Sequence, residues 1–280
     1  MNPYPKGDVR YVGSLDEQLA DVNKVTLEDV KKFHAQFYGA SHGELVVVGQ
    51  FDPAVLSKTA AELFGNWASP APYARITEKF AKAQPVNLKI ETPDKQNATF
   101  QAAMTFAMSD TDPDYPALLL ADYMFGGSIT GRAPDRIRNR EGLSYTVRSN
   151  FEAPVPVEGN LARFGGMAIS NPKNSPKVET SFRDELAKTI ATGFTAEEVA
   201  GAKKALMDAR RVGRSQDQSL LRLIASRDDA DRTLQWDEQM DSKLEALTPE
   251  QVNAAFRRHV DLATLSIVKA GDFKAAGVYQ

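Results

Sequence analysis

The sequence predicts an α+β protein whose largely antiparallel sheet packs under helices. Three observations predict it. Two stretches with strand-like alternation, 86–91 and 100–106, follow one another, whereas a parallel sheet would set a helix between them. The second half carries long helical patterns over 175–192 and 195–226. A dinucleotide-binding parallel sheet lacks its signature, because Val46-Val47-Val48-Gly49-Gln50-Phe51 supplies one glycine where three are needed.

The elements run in order as follows. Over 15–38 Val22, Val25, Val30, Phe33 and Phe37 recur at helical spacing, and Thr26-Leu27-Glu28-Asp29 reads as an N-cap with first-turn acids, so two helical pieces are expected, ending at Gly39. Glu44 to Gly49 is β-rich and apolar on both faces, the pattern of a buried strand. Asp52-Pro53 opens a helix to Phe64, closed by Gly65. Pro70, Pro72 and Pro85 mark 69–85 as a linker between 1–68 and 86–280. Val86, Leu88 and Ile90, then Phe100, Ala102, Met104 and Phe106, alternate with more polar residues in two strands with one wet face. Asp112-Pro113 starts a helix through Phe125 that Gly126-Gly127 ends, and a helix over about 130–140 follows. Leu143 to Phe151 and Leu161 to Ile169 read as neighbouring strands. Helices are then expected over 175–192, 195–226 (opened by Thr195-Ala196-Glu197-Glu198) and 233–259, and 263–268 is the closing strand.

Composition narrows the chemistry. The 280 residues carry 34 Lys+Arg against 37 Asp+Glu, a formal charge of −3, so there is no electrostatic footprint for nucleic acid. Cysteine is absent, which removes disulfides, thiolate zinc sites and cysteine nucleophiles. Three histidines, His34, His42 and His259, leave little room for a multi-histidine metal site. No apolar run approaches the roughly 18 residues of a membrane span, and Met1 to Lys6 is not the basic-then-apolar start of a secretory signal.

Residues 26–51 superpose on 248–273 at a constant offset of 222, with Thr26/Thr248, Glu28/Glu250, Val30/Val252, Val46/Val268, Gly49/Gly271 and Phe51/Phe273 identical. A repeat of that period makes 1–68 the trailing part of a preceding unit and 86–280 a whole one. A strand at 44–50 separated from its unit would be short of partners, so this segment is expected to pack on the second unit or to pair between chains in self-association.

Among local motifs, Gly126 to Gly131 is glycine-rich, but no Gly-Lys-Ser/Thr follows, so it reads as a helix cap and hinge. Lys203, Lys204, Arg210, Arg211, Arg214, Arg222 and Arg227 are answered within their stretch only by Asp208 and Asp217, the pattern of a charged outer helix face. The most specific constellation is Asp135-Arg136-Ile137-Arg138-Asn139-Arg140-Glu141-Gly142-Leu143-Ser144-Tyr145. It resembles the second-half signature of the pitrilysin/insulinase metallopeptidases, which include the mitochondrial processing peptidases. There a glycine-rich turn precedes a helix ending in Leu-Arg, and a Gly-Leu-x-Tyr strand follows. Arg138 and Tyr145 match those positions, with Ile137 for the usual leucine. Gly193 to Val199 with Ala202-Lys203, and Val25-Thr26 through Gln50-Phe51-Asp52, resemble further family segments.

The resemblance implies a pitrilysin/insulinase-type unit that is the non-catalytic half of a zinc metallopeptidase. The family's His-x-x-Glu-His motif is absent; alignment on Met124-Phe125 puts Leu119, Asp122 and Tyr123 at its positions. The chain is therefore expected to hold no catalytic metal and to be inactive alone, with zinc in a partner catalytic half, on the same polypeptide or a separate subunit. Arg138 and Tyr145 are the expected substrate-binding pair, offering donors to a peptide carbonyl. The strand alternation places Tyr145 on the same side as Leu143 and Val147. The alternative within the fold is a catalytically dead scaffold or peptide-binding interaction domain. The family's habit points to a bacterial envelope.

Overall fold

A computed structural model describes residues 4–279. The chain divides into two compact units, one of Met1–Thr77 with Arg210–Asp237 and one of Glu78–Ala209 with Glu238–Gln280. That division differs from a cut at 69–85, because it counts 210–237 with the first segment.

In the first unit, α1 (Leu15–Val22), α2 (Leu27–Phe37) and α3 (Pro53–Phe64) start where the caps predict. Ser14 and Thr26 each close a capping box, and the Asp52 carboxylate accepts from the amides of Ala54 and Val55 ahead of Pro53. The buried strand expected at 44–49 is not formed. Leu45 is exposed, Val46 to Val48 are half-buried, and among the described residues no backbone hydrogen bond joins Leu45–Val48 to another segment. β propensity cannot form a ladder by itself; a strand needs a neighbour.

The second unit holds a sheet of β1 (Asn87–Glu91), β2 (Ala98–Ala107), β3 (Ser144–Glu152), β4 (Leu161–Ser170) and β5 (Ser266–Gly271), in the order β1-β5-β2-β4-β3. Only β1 and β5 run parallel; the other pairs are antiparallel. The segments between carry α4 (Tyr115–Asp122), which runs on as a π-helical turn through Gly127, and α5 (Arg132–Pro134), which runs on as a second through Arg140. Then follow α6 (Ser175–Thr192), α7 (Ala196–Arg214), α8 (Asp217–Asp229), α9 (Gln235–Ala246), α10 (Pro249–His259) and α11 (Phe273–Ala276).

Two expected helices are each split. The one over 195–226 breaks at Ser215-Gln216, where the Ser215 hydroxyl donates to the Val212 carbonyl at 2.8 Å and Gln216 is extended. The one over 233–259 breaks at Thr248, an extended N-cap paired with Gln251 and followed by Pro249, whose ring excludes continuation from α9. The basic face of 203–227 also finds a partner beyond its own stretch. Buried Asp237 accepts from Arg227 at 2.7 Å and pairs with Arg210 at 3.4 Å, while Trp236 stacks under Arg227 and Arg232.

Period-2 alternation in β2 and β4 sends Phe100, Ala102, Met104 and Phe164 to one face, where they are fully buried. Phe182 of α6 meets Phe100 at 5.3 Å and Phe125 at 5.5 Å, and Phe256 of α10 meets Phe164 at 5.6 Å, the last two edge-to-face. Gly166 in β4 admits the Phe182 ring: a Cβ there would lie 2.6 Å from ring carbon Cε2 and 3.0 Å from the Arg148 carbonyl. Gly166→Ala is therefore expected to cost about 1–3 kcal/mol of stability through overpacking. A lower denaturant midpoint with unchanged slope would show it, and an unchanged midpoint would mean that the ring steps aside freely.

Candidate functional site

The segment from Gly126 to Tyr145 is held at both ends. Its first turn lies tight on β3, since a Cβ on Gly126 would meet the Ser149 amide at 2.8 Å and one on Gly131 the Gly126 amide at 2.9 Å. Arg132 then clamps it: the guanidinium pairs with both oxygens of Glu198 at 2.7 Å, donates to the Gly193 carbonyl at 2.8 Å, and lies over the Phe194 ring at 4.7 Å. Fully buried Ile137 anchors the second π turn, and Gly142, at φ +63°, reverses the chain into β3.

Four arginines lie along this stretch, and three are answered by acids. Arg132 has Glu198; Arg136 has Glu141 at 2.9 Å, Asp184 at 3.4 Å and Glu185 at 3.5 Å; Arg140 has Asp135 at 2.9 Å. Arg138 makes no ion pair among the described residues. Its guanidinium instead lies 4.5 Å over the ring of Tyr145, so the structure brings together the two residues that the sequence singled out.

Tyr145 is not on the side of Val147. Ser144 pairs with Ser170 and Thr146 with Ile169, leaving Tyr145 as the extra residue of a β-bulge. Val147 is buried while Tyr145 is 79% exposed. Strict alternation fails because a bulge inserts one residue and re-aims the side chain. The Ser144 hydroxyl holds the distortion through the carbonyls of Thr146 at 2.8 Å and Ile169 at 2.6 Å. No signal in the sequence marked the bulge, since strict alternation puts Ser144 on the polar side of the strand with Thr146 and Arg148.

The result is a planar cation restrained by an aromatic ring, beside a phenol whose hydroxyl makes no hydrogen bond among the described residues. The stacking contributes about 0.5–1 kcal/mol at an exposed site, which limits the guanidinium's freedom before anything binds. Together the two groups can donate to a carbonyl or to negative charge developing on one.

The helix that precedes this segment is occupied by its own contacts. The Asp122 carboxylate accepts from the Ser149 hydroxyl at 2.6 Å and from the Phe151 amide. Leu119 and Tyr123 have no ligating imidazole to offer. Elsewhere Asp112, Asp114 and His259 bring ligand atoms within 4.8 Å of one another, a grouping that the sequence reading did not find. Asp114 is already shared there: it pairs with Arg258 and meets His259 at 2.9 Å. Burial pushes its carboxyl up, but hydrogen bonds from Arg258 and His259 hold it below the usual range.

A family model described as the peptidase M16 inactive domain matches residues 24–206. An uncharacterized zinc protease of Streptomyces coelicolor is 24% identical over 245 residues, 84% of this chain and 51% of its own length. A probable inactive metalloprotease of Bacillus subtilis is 23% identical over 164 residues, 58% of this chain and 37% of its own. The chain thus spans about half or less of the curated relatives it matches. The crystal structure of a peptidase M16 inactive domain from Pseudomonas fluorescens shares the fold, with a TM-score of 0.78 at 24% identity over 95% of this chain and 62% of that one.

Burial pushes the Asp122 carboxyl up to about 6, against the bonds from Ser149 and Phe151 that pull it down. A raised folded value means that the folded state binds this proton more tightly than the unfolded chain. The contribution to stability is complete below the ordinary value of 3.8 and fades as pH rises through about 6. Asp122→Asn cannot titrate, so between pH 3.5 and pH 7 its stability relative to the parent should rise by about 2–3 kcal/mol in urea denaturation. A difference that stays constant over this range would place the carboxyl at its ordinary value.

Proposed function

The chain belongs to the peptidase M16 inactive-domain family, and from that premise we propose that it is the non-catalytic half of a zinc peptidase. In this reading it shapes one wall of a substrate cleft while a partner half holds the zinc, and Arg138 with Tyr145 grips the backbone of an extended peptide. The observation that carries the reading is the charge accounting of residues 132–140. Three arginines pair with carboxylates, and the fourth, which makes no ion pair among the described residues, presents its donors beside an exposed phenol. A surface built only for stability would gain little from stacking an unpaired arginine on a tyrosine that a bulge has turned outward.

The chemistry assigned to this half is electrostatic. The guanidinium and the phenol hydroxyl would donate to the carbonyl oxygen as negative charge develops on it and its carbon becomes tetrahedral, and the π turn and the bulge hold them before the peptide arrives. The metal, and the general base that activates water, belong to the partner half. Sequence of the surrounding gene supplies one check: a His-x-x-Glu-His helix in the same polypeptide or in a neighbouring reading frame supports a peptidase half, and its absence from both supports a scaffold.

With the zinc-bearing half present, Arg138→Ala and Tyr145→Phe are each expected to lower kcat/KM roughly 10–10³-fold, about 1.4–4 kcal/mol for one lost donor. Tyr145→Phe keeps the ring and should leave stability within about 0.5 kcal/mol, and Arg138→Ala, with no ion pair to lose among the described residues, should cost no more than the roughly 0.5–1 kcal/mol of its stacking. Full activity in both variants would make the pair relics and favour the scaffold.

A further inference from the structure

Strand pairing lines up one side chain per strand in rows across the sheet face opposite the phenylalanine cluster. One row runs Leu88, Val268, Gln101, Met167, Arg148, each paired with the next. The adjoining row ends in Ile169 opposite Thr146, where the bulge at Tyr145 enters. These positions stay open: Gln101 and Arg148 are exposed, Met167 is half-buried, Leu88 is 50% exposed and Ile169 37%.

Charge on this face is one-sided near the bulge. Arg148, like Arg138, makes no ion pair among the described residues. The one acid of β3, Glu152, accepts from Asn150 at 3.0 Å and lies opposite Arg163, which itself pairs with Glu78 at 2.7 Å. Two cations without a carboxylate therefore flank the bulge, Arg138 stacked on Tyr145 and Arg148 two residues beyond Thr146, with apolar Met167 and Ile169 alongside on β4. Their surroundings suit them to different tasks. Arg138 is restrained by the ring and is assigned the peptide backbone, whereas Arg148 starts from the neighbouring row and is left to meet a side chain.

We infer that Arg148 selects peptides by an acidic side chain, a Glu or Asp about two residues from the carbonyl that Arg138 and Tyr145 hold, with apolar neighbours resting on Met167 and Ile169. An extended chain advances about 3.3 Å per residue and turns every second side chain to the same face. That is the step separating Thr146 from Arg148, so a peptide aligned with β3 brings such a side chain to the guanidinium. Carboxylate and guanidinium match in charge and in paired donor geometry, and a lysine at the same place is repelled. The inference rests on the proposed function for the peptide and its held carbonyl, and adds the class of peptide taken.

Fluorescein-labelled decapeptides of serine, threonine and leucine, identical except for one central Glu, Gln or Lys, test it by anisotropy on the whole chain. The parent should bind the Glu peptide about 3–5-fold tighter than the Gln peptide, with the Lys peptide weakest, and the differences should shrink in about 0.5 M salt. Arg148→Gln should erase the order and Arg148→Glu should reverse it, so that the Lys peptide binds best. Melting curves of both variants should match the parent's, because Arg148 has no ion pair to lose among the described residues. The inference is overturned if the parent binds none of the peptides, if it binds all three alike, or if Arg148→Glu keeps the parental order. Arg138→Ala keeps the failures apart: it should weaken all three peptides by a similar factor and leave Glu first. If Arg138→Ala binds all three like the parent while Arg148→Glu still reverses the order, the backbone grip is wrong and the acidic selection stands. If Arg138→Ala by itself erases the order, Arg138 reads the acid and the role assigned to Arg148 falls.

Discussion

The phenylalanine cluster of the second unit is the constraint on which the rest is built. Phe100 and Phe164 rise from the sheet, Phe125 comes from the π turn after α4, and Phe182 and Phe256 come down from α6 and α10. Each ring is buried and meets its neighbours at an angle, so none can shift without moving another. Gly166 supplies the space that this arrangement needs. Because Phe125 sits inside the cluster, the turn at Gly126-Gly127 has a fixed origin, and the loop carrying Arg138 is launched from a rigid point.

From that point the candidate site is a matter of charge and backbone geometry. Arg132 ties the loop to the turn before α7 and Arg136 ties it to α6, while Arg138 makes no ion pair among the described residues. The bulge at Tyr145 supplies the second half of the arrangement. Had β3 kept its alternation, the phenol would lie with Val147 against the helices, and the guanidinium would have no ring to stack on. One inward serine, bonded to two carbonyls, decides this.

The repeat makes a different point about how local signals become structure. Thr26 and Thr248 open helices of the same length in the same way, since capping is settled by a few neighbouring residues. Three residues of β-branched sequence at Val46 to Val48 do not become a strand, whereas Ile267 and Val268 do, because hydrogen-bonding partners are available to one and not to the other. Propensity proposes; pairing disposes only where a second strand is present.

By itself the sequence determined the α+β class, the alternating strands β2 and β4, and the helix starts at Thr26, Asp52 and Thr195, because caps and periodicity act over a few residues; Arg138 and Tyr145 were singled out by resemblance to a family motif. Only the tertiary structure decided which way Tyr145 faces, that Asp122 is engaged by Ser149, that Asp237 answers the arginines of α7 and α8, and that the apolar face of α2 is left uncovered. Those outcomes depend on groups far apart in the chain meeting, or failing to meet, in space. Periodicity cannot register a bulge, composition cannot say which acid a given arginine reaches, and hydrophobicity says that a surface wants to be buried without saying against what.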